Sequence, residues 1–141
     1  MPPLRPPRLF HLMSLAQHRL LKAIDATYKE ALGISSTQLG VLFILEKKPG
    51  ALLKEVSEEL GINASAITAL IGRMVDARLV RRQDSAEDGR AVHLFATAEG
   101  IAKAAAAKPL LARLNARLTH GFTERDVATV GRFLNAILER F

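Results

Sequence analysis

The sequence has no cysteine, no tryptophan and a single tyrosine, and aromatic residues make up only 5% of it. Without cysteine there is no disulfide framework, no thiolate zinc site and no thiol redox switch. Other metal ligands are scarce. The four histidines, His11, His18, His93 and His120, are dispersed, and only His11 and His18 share a helix face. Histidines in such a pattern more often make ordinary hydrogen bonds than hold a metal, so no metal and no cofactor is expected. No apolar run approaches the length of a membrane span, and no membrane partner is expected. The proline- and arginine-rich start (Pro2, Pro3, Arg5, Pro6, Pro7, Arg8) lacks the apolar core and small-residue cleavage site of an export signal, which predicts a cytoplasmic protein. There is no phosphate-cradling glycine loop and no Ser/His/Asp grouping at recognisable spacing, so an enzyme is not expected.

What is present is 141 residues, 49% of them hydrophobic, which is enough for one domain with its own core. The net charge of +6 and a pI near 10.2 favour a polyanionic partner. That charge is unevenly spread. Residues 1–34 hold five basic against two acidic residues, 101–141 hold seven against three, and 35–100 hold eight against nine. If the middle third binds a nucleic acid, particular side chains must do so.

The middle third is also where the pattern is sharpest. Leu53, Val56 and Leu60 recur at helical spacing and Gly61 follows as a stop. Asn63 can cap a second helix, Asn63–Ala77, whose Ile67, Leu70, Ile71 and Met74 form one apolar stripe. Two short helices joined by a Gly-containing turn form a helix-turn-helix. A strand (Leu79 to Gln83), a polar loop with Asp88-Gly89 and a second strand (Ala91 to Ala96) then predict a hairpin. Together they predict a mainly α fold with a small two-stranded β wing.

Helices flank this unit. Leu9 to Leu32 is amphipathic, with Leu9, Leu12, Ala16, Leu20, Ile24, Tyr28 and Ala31 on one side, and Gly33 ends it. Ser35 to Gln38 matches a capping box and opens a nearly all-apolar helix that Pro49-Gly50 breaks. Thr97 can cap a long helix through Thr119, which Pro109 should kink or split. Thr123 with Asp126 opens a last helix striped by Val127, Val130, Phe133 or Leu134, Ile137, Leu138 and Phe141. A small winged helix has nothing to cover these terminal stripes. They predict a homodimer, with residues 1–34 and 101–141 as dimerisation helices and 35–100 as the DNA-binding lobe of a single domain.

With its stripe inward, the second helix of the pair presents Ser65, Ala69, Gly72, Arg73 and Asp76, with Thr68 at the flank. A recognition helix puts its N-terminal part on base edges, so Asn63, Ser65, Ala66, Thr68 and Ala69 are candidate contacts. Ser65 and Thr68 can hydrogen-bond several bases, and Arg73 can reach a guanine or a phosphate. Arg90 near the hairpin tip suits a narrow A·T-rich minor groove, with Asp88 positioned to hold it. Arg81, Arg82 and Lys54 are phosphate candidates; ordinary surface charge accounts for these three equally well.

From Ser35 onward the chain resembles the MarR family of winged helix-turn-helix regulators, over essentially its whole length. The residues that carry the resemblance are Thr37-Gln38-Leu39-Gly40-Val41-Leu42, the run Leu60 to Thr68, the run Arg73 to Val80, and above all Asp88-Gly89-Arg90 followed by an alternating strand and Thr97-Ala98-Glu99-Gly100. The resemblance implies a dimeric regulator on palindromic double-stranded DNA, the recognition helix in the major groove and Arg90 in the minor groove. It also implies a small-molecule pocket between the dimerisation helices and the DNA-binding lobe, taking a small anionic aromatic or acyl-CoA-type effector. His11, His18, Arg19 and Tyr28 are the candidate ligand groups. Three positions depart from the family pattern. Arg78 stands where glycine is usual, Ala96 where leucine is usual, and Ala69 where many members carry a polar or basic residue. The expected function is a homodimeric repressor of a nearby operon and its own gene, released by its ligand. The alternatives are a winged-helix protein-interaction module, or an activator or anti-silencer without a ligand switch.

Overall fold

The computed structural model describes residues 1–3, 6–85, 87 and 89–141. Asp88 therefore lies outside the described residues. The element order is α1 (Pro6–Leu32), α2 (Ser36–Lys47), β1 (Ala51–Leu52), α3 (Leu53–Leu60), α4 (Ala64–Asp76), β2 (Val80–Asp84), β3 (Val92–Ala96), α5 (Ala98–Thr119) and α6 (Glu124–Arg140). The chain divides into two units, Met1–Lys108 and Pro109–Phe141.

Local chemistry sets the helix ends. Gly33 and Gly61 take left-handed φ values of 70° and 66°, conformations that a side chain disfavours. Ser35 Oγ accepts from the Gln38 N–H while Gln38 Oε1 accepts from the Ser35 N–H, completing the expected capping box. Asp25 on α1 accepts the Ser36 N–H at 2.7 Å, which ties α1 to the start of α2. At the C-terminal end of α1, Lys103 Nζ donates to the Leu32 carbonyl at 2.5 Å.

The first unit's core gathers Leu39, Val41, Leu42 and Leu45 of α2, Val56 of α3, and Ile67, Leu70, Ile71 and Met74 of α4, all buried. Leu79, Val80 and Leu94 at the base of the hairpin and Ala104 and Ala107 of α5 complete it. The expected α4 stripe is thus the buried face. Such burial stabilises by about 1.5–3 kcal/mol per large aliphatic side chain and outweighs the weak propensity of an eight-residue helix such as α3.

The expected two-stranded wing, β2 and β3, is present, and β1 adds a third strand to its sheet in the order β1-β3-β2. After Pro49-Gly50 the chain runs antiparallel along the open edge of β3, pairing Ala51 with Leu94 and Leu52 with His93. The Gly50 N–H donates to the Leu94 carbonyl at 2.9 Å and His93 Nδ1 meets the Gly50 carbonyl at 2.9 Å, so edge groups that would otherwise need water are satisfied. Of the two outcomes expected at Pro109, a split is excluded, since α5 continues through it from Ala98 to Thr119. Proline removes one intrahelical bond, to the Ala105 carbonyl; both residues are exposed, so water can replace it.

In the second unit, Thr123 and Asp126 form the expected capping box at the start of α6. No residue of α6 is buried. Val127, Val130, Phe133, Leu134 and Leu138 are all exposed, Leu138 at 81%.

Candidate nucleic-acid interface

Helix α4 begins at a polar knot. Asn63 Oδ1 accepts from the Ala66 N–H and from the Ser65 hydroxyl, both at 2.9 Å. One turn on, the Thr68 hydroxyl donates to the Ala64 carbonyl at 2.8 Å. Ser65, Ala66, Thr68, Ala69 and Arg73 are exposed, and Gly72 is half-buried with open space where a Cβ would stand. The outward face expected of α4 is therefore solvent-facing.

Lys54 was legible only as a phosphate candidate, but its position does more. It lines a cleft of about 290 Å³ together with Arg90, Ala91 and Val92 at the hairpin. It also lines a second cleft of about 190 Å³ with Ser57, Ala64, Ile67 and Thr68, between α3 and α4. Lys54 thus sits between the N-terminal half of α4 and the hairpin, and joins Thr68 and Arg90 into one surface. No sequence pattern announces this, because the three residues come from separate elements.

On the hairpin, β2 and β3 pair from Val80↔Ala96 to Asp84↔Val92. Arg81 and Arg82 are both exposed. The Arg81 guanidinium lies 4.5 Å from the centre of the Phe95 ring, its cross-strand partner. A cation–π contact of that kind contributes about 0.5–1 kcal/mol and orients the arginine along the wing. Arg82 is an exposed cation on the same strand.

The turn behind the interface is braced by Lys48 and Glu55, which form an exposed ion pair. The Lys48 ammonium donates to Glu55 and holds its carboxyl below the usual range, and Lys48 is raised in return. Glu55 also accepts the Leu52 N–H at 3.3 Å, which fixes the entry into α3.

The four ligand candidates do not converge within the chain. His11, His18 and Arg19 are exposed along α1, whereas Tyr28 is buried at 2% exposure. The ten-residue separation of His18 and Tyr28 spans about 15 Å of helix. Burial raises the Tyr28 phenol above its ordinary pKa, so it stays a neutral donor. An open groove on α1 includes His18 with Lys22, Asp25, Ala26 and Lys29. Among the described residues no three His, Asp or Glu side chains group as metal ligands, and no helix is long and apolar enough to cross a membrane.

A helix pair packed on a three-stranded hairpin sheet, with an exposed α4 face beside a basic wing, defines a winged helix-turn-helix protein. The sequence matches the MarR family over residues 32–91. It is 31% identical over 94 residues to the HTH-type transcriptional repressor MdtR of Bacillus subtilis, covering 64% of this chain and 61% of that protein. It is 29% identical over 119 residues to the HTH-type transcriptional repressor IacR of Pseudomonas putida, covering 84% and 66%. The chain therefore spans less than two thirds of either curated relative. Its fold is similar to that of a cysteine-to-serine mutant of MarR from E. coli complexed with operator DNA, with a TM-score of 0.79 and 25% identity over 92% of this chain and 95% of that one. The match to the MarR family spans the helix-turn-helix and the hairpin as far as Ala91.

Proposed function

We propose that two copies of this chain bind a palindromic operator as a transcriptional repressor, acting on a nearby operon and on the protein's own gene. The observation that carries this is the single surface formed by the exposed α4 face, Lys54 and the wing with Arg90. In this arrangement α4 enters the major groove with Asn63, Ser65, Ala66, Thr68 and Ala69 near base edges. Arg90, two residues after Asp88 in sequence, enters the minor groove, and Lys54, Arg81 and Arg82 hold phosphates. Arg73 takes a guanine or a phosphate. The repressor names of MdtR and IacR support the direction of control.

Residues 1–34 and 101–141 act as the dimerisation helices. Phe10, Leu12, Leu15, Leu20 and Leu21 on α1 are exposed, and so is the α6 stripe, which is more apolar surface than a monomer ordinarily leaves wet. A small anionic aromatic or acyl-CoA-type ligand releases the DNA. His11, His18, Arg19 and Tyr28 supply its donors, with the second copy bringing the remaining wall. The ligand shifts the equilibrium only as far as its affinities for the two arm spacings differ.

The test is a footprint on DNA upstream of the gene, read together with light scattering. Protection of two half-sites about one helical turn apart is expected, with a mass twice the 15.4 kDa of the chain. Leu134→Glu with Leu138→Glu should halve the mass and abolish protection while leaving the helical spectrum intact. A wild-type monomer, or protection without sequence preference, contradicts the proposal. The slightly acidic balance of residues 35–100, eight basic against nine acidic, favours a second reading as a protein-interaction module, and that is the outcome if no duplex is preferred.

A further inference from the structure

We propose that α4 reads its half-site as a strip of hydrogen-bond acceptors and methyl groups, and so selects A·T pairs through the adenine N6 amino group and the thymine methyl. This rests on α4 being the helix that enters the major groove.

Two hydroxyl protons decide it. Asn63 Oδ1 is identified as the oxygen because it accepts the Ala66 N–H at 2.9 Å. An amide oxygen has no proton to give, so in the Ser65–Asn63 bond the serine is the donor. The Ala64 carbonyl has none either, so in its bond with Thr68 the threonine is the donor. Each hydroxyl has one proton, and both are committed within the first turns of α4. What Ser65 and Thr68 offer outward is lone pairs.

The major groove sorts bases on that distinction. Adenine N6 and cytosine N4 present donors, whereas guanine N7 and O6 and thymine O4 present acceptors. A hydroxyl lone pair facing guanine is mismatched. Turning its proton outward breaks an existing bond and costs roughly fivefold in binding. Asn63 is constrained as well. Its doubly committed Oδ1 closes the two-point contact with adenine and leaves Nδ2 as a donor suited to a phosphate.

The methyls separate adenine from cytosine. At about 100° per residue, Thr68 lies about −60° from Ser65, while Ala69, Arg73 and Ala66 lie at about 40°, 80° and 100°. Hydroxyls therefore occupy one edge of the exposed face and the Ala66 and Ala69 methyls the other. A base pair with an amino group on one side and a methyl on the other is A·T. Arg73, the guanidinium of α4, sits at the far end of the methyl edge and admits guanine there alone.

The full chain would be used to select from a pool of random duplexes of roughly 30 base pairs, long enough for two half-sites a helical turn apart. Affinity for the selected duplex would then be measured after replacing adenine by purine, which lacks the N6 amino group, and thymine by uracil, which lacks the methyl. Wild type, Thr68→Val and Ser65→Ala would be compared. A·T pairs should be enriched under α4, and removing the amino group should weaken wild type roughly five- to tenfold. Thr68→Val, which keeps the branched shape, or Ser65→Ala should reduce that loss to about twofold or less. Guanine selected at those positions overturns the proposal. So does A·T enrichment that is indifferent to both base modifications, because the selection would then come from groove width. If no sequence is enriched at all, it is the placement of α4 in the major groove that fails.

Discussion

The Thr97 hydroxyl donates to the backbone carbonyl of Arg78 at 2.6 Å, across 19 residues of sequence. The same oxygen accepts the Gly100 N–H at 3.1 Å, and the Thr97 N–H donates to the Leu79 carbonyl at 3.0 Å. One residue thus caps α5 and anchors it to the turn where α4 passes into the wing. Thr97→Val keeps the shape and loses both side-chain bonds. It should cost about 1–2 kcal/mol, the usual value of a lost N-cap plus a hydrogen bond, measured by urea unfolding. An unchanged midpoint would mean that the wing is held without this link.

Arg78 itself sits at φ 60°, the one non-glycine residue with a left-handed backbone among the described residues. A side chain there costs about 1 kcal/mol or more, partly offset because glycine loosens the unfolded chain. Arg78→Gly should raise stability by about 0.5–1 kcal/mol, seen as a higher melting temperature.

Two glycines should respond oppositely to alanine. A Cβ on Gly100 would stand 2.2 Å from the Leu79 carbonyl oxygen and 2.9 Å from Leu42, so α5 must move away. Gly100→Ala should destabilise by about 3 kcal/mol or more. At Gly72 a Cβ meets nothing within 4 Å, so Gly72→Ala should stabilise by about 1 kcal/mol through helix propensity. Parallel denaturation curves check both. If Gly72→Ala gains stability but weakens DNA binding, close approach of the DNA is why the position is bare.

Asp25 gives the fold an acid-sensitive tie. The backbone N–H of Ser36, and its side chain, hold the Asp25 carboxyl below its ordinary pKa. A carboxylate lowered in the folded state contributes stability above its unfolded value, and that contribution is lost as pH falls through the folded value. Wild type should therefore lose stability relative to Asp25→Asn as the pH drops below about 4. Parallel pH profiles of the two would show that Asp25 carries no such contribution.

Elements fixed by neighbouring residues were legible from the sequence. The Ser35/Gln38 and Thr123/Asp126 capping boxes, the Asn63 cap and the buried stripe Ile67-Leu70-Ile71-Met74 depend on spacings of three or four, which the sequence displays directly. Strand β1 was not legible, since two residues show no period and pair only through distant β3. The Asp25–Ser36 and Lys103–Leu32 ties span 11 and 71 residues, and nothing local marks them. At the candidate site, sequence placed Ser65, Thr68, Ala69 and Arg73 on the exposed face. It could not give the direction of the hydroxyl protons, nor the position of Lys54 between Thr68 and Arg90. Tyr28 was grouped with His11, His18 and Arg19 by residue type, whereas packing buries it and leaves the other three in solvent.

Recognition of a DNA sequence by this surface can be read by fluorescence anisotropy. DNA from immediately upstream of the gene and a scrambled fragment would be titrated with wild type and with Arg90→Ala at two salt concentrations. Wild type should prefer its own DNA by roughly a thousandfold or more. Arg90→Ala should weaken that complex roughly tenfold. Equal binding of both fragments, or binding lost at modest salt, would leave only counterion release and would contradict sequence recognition.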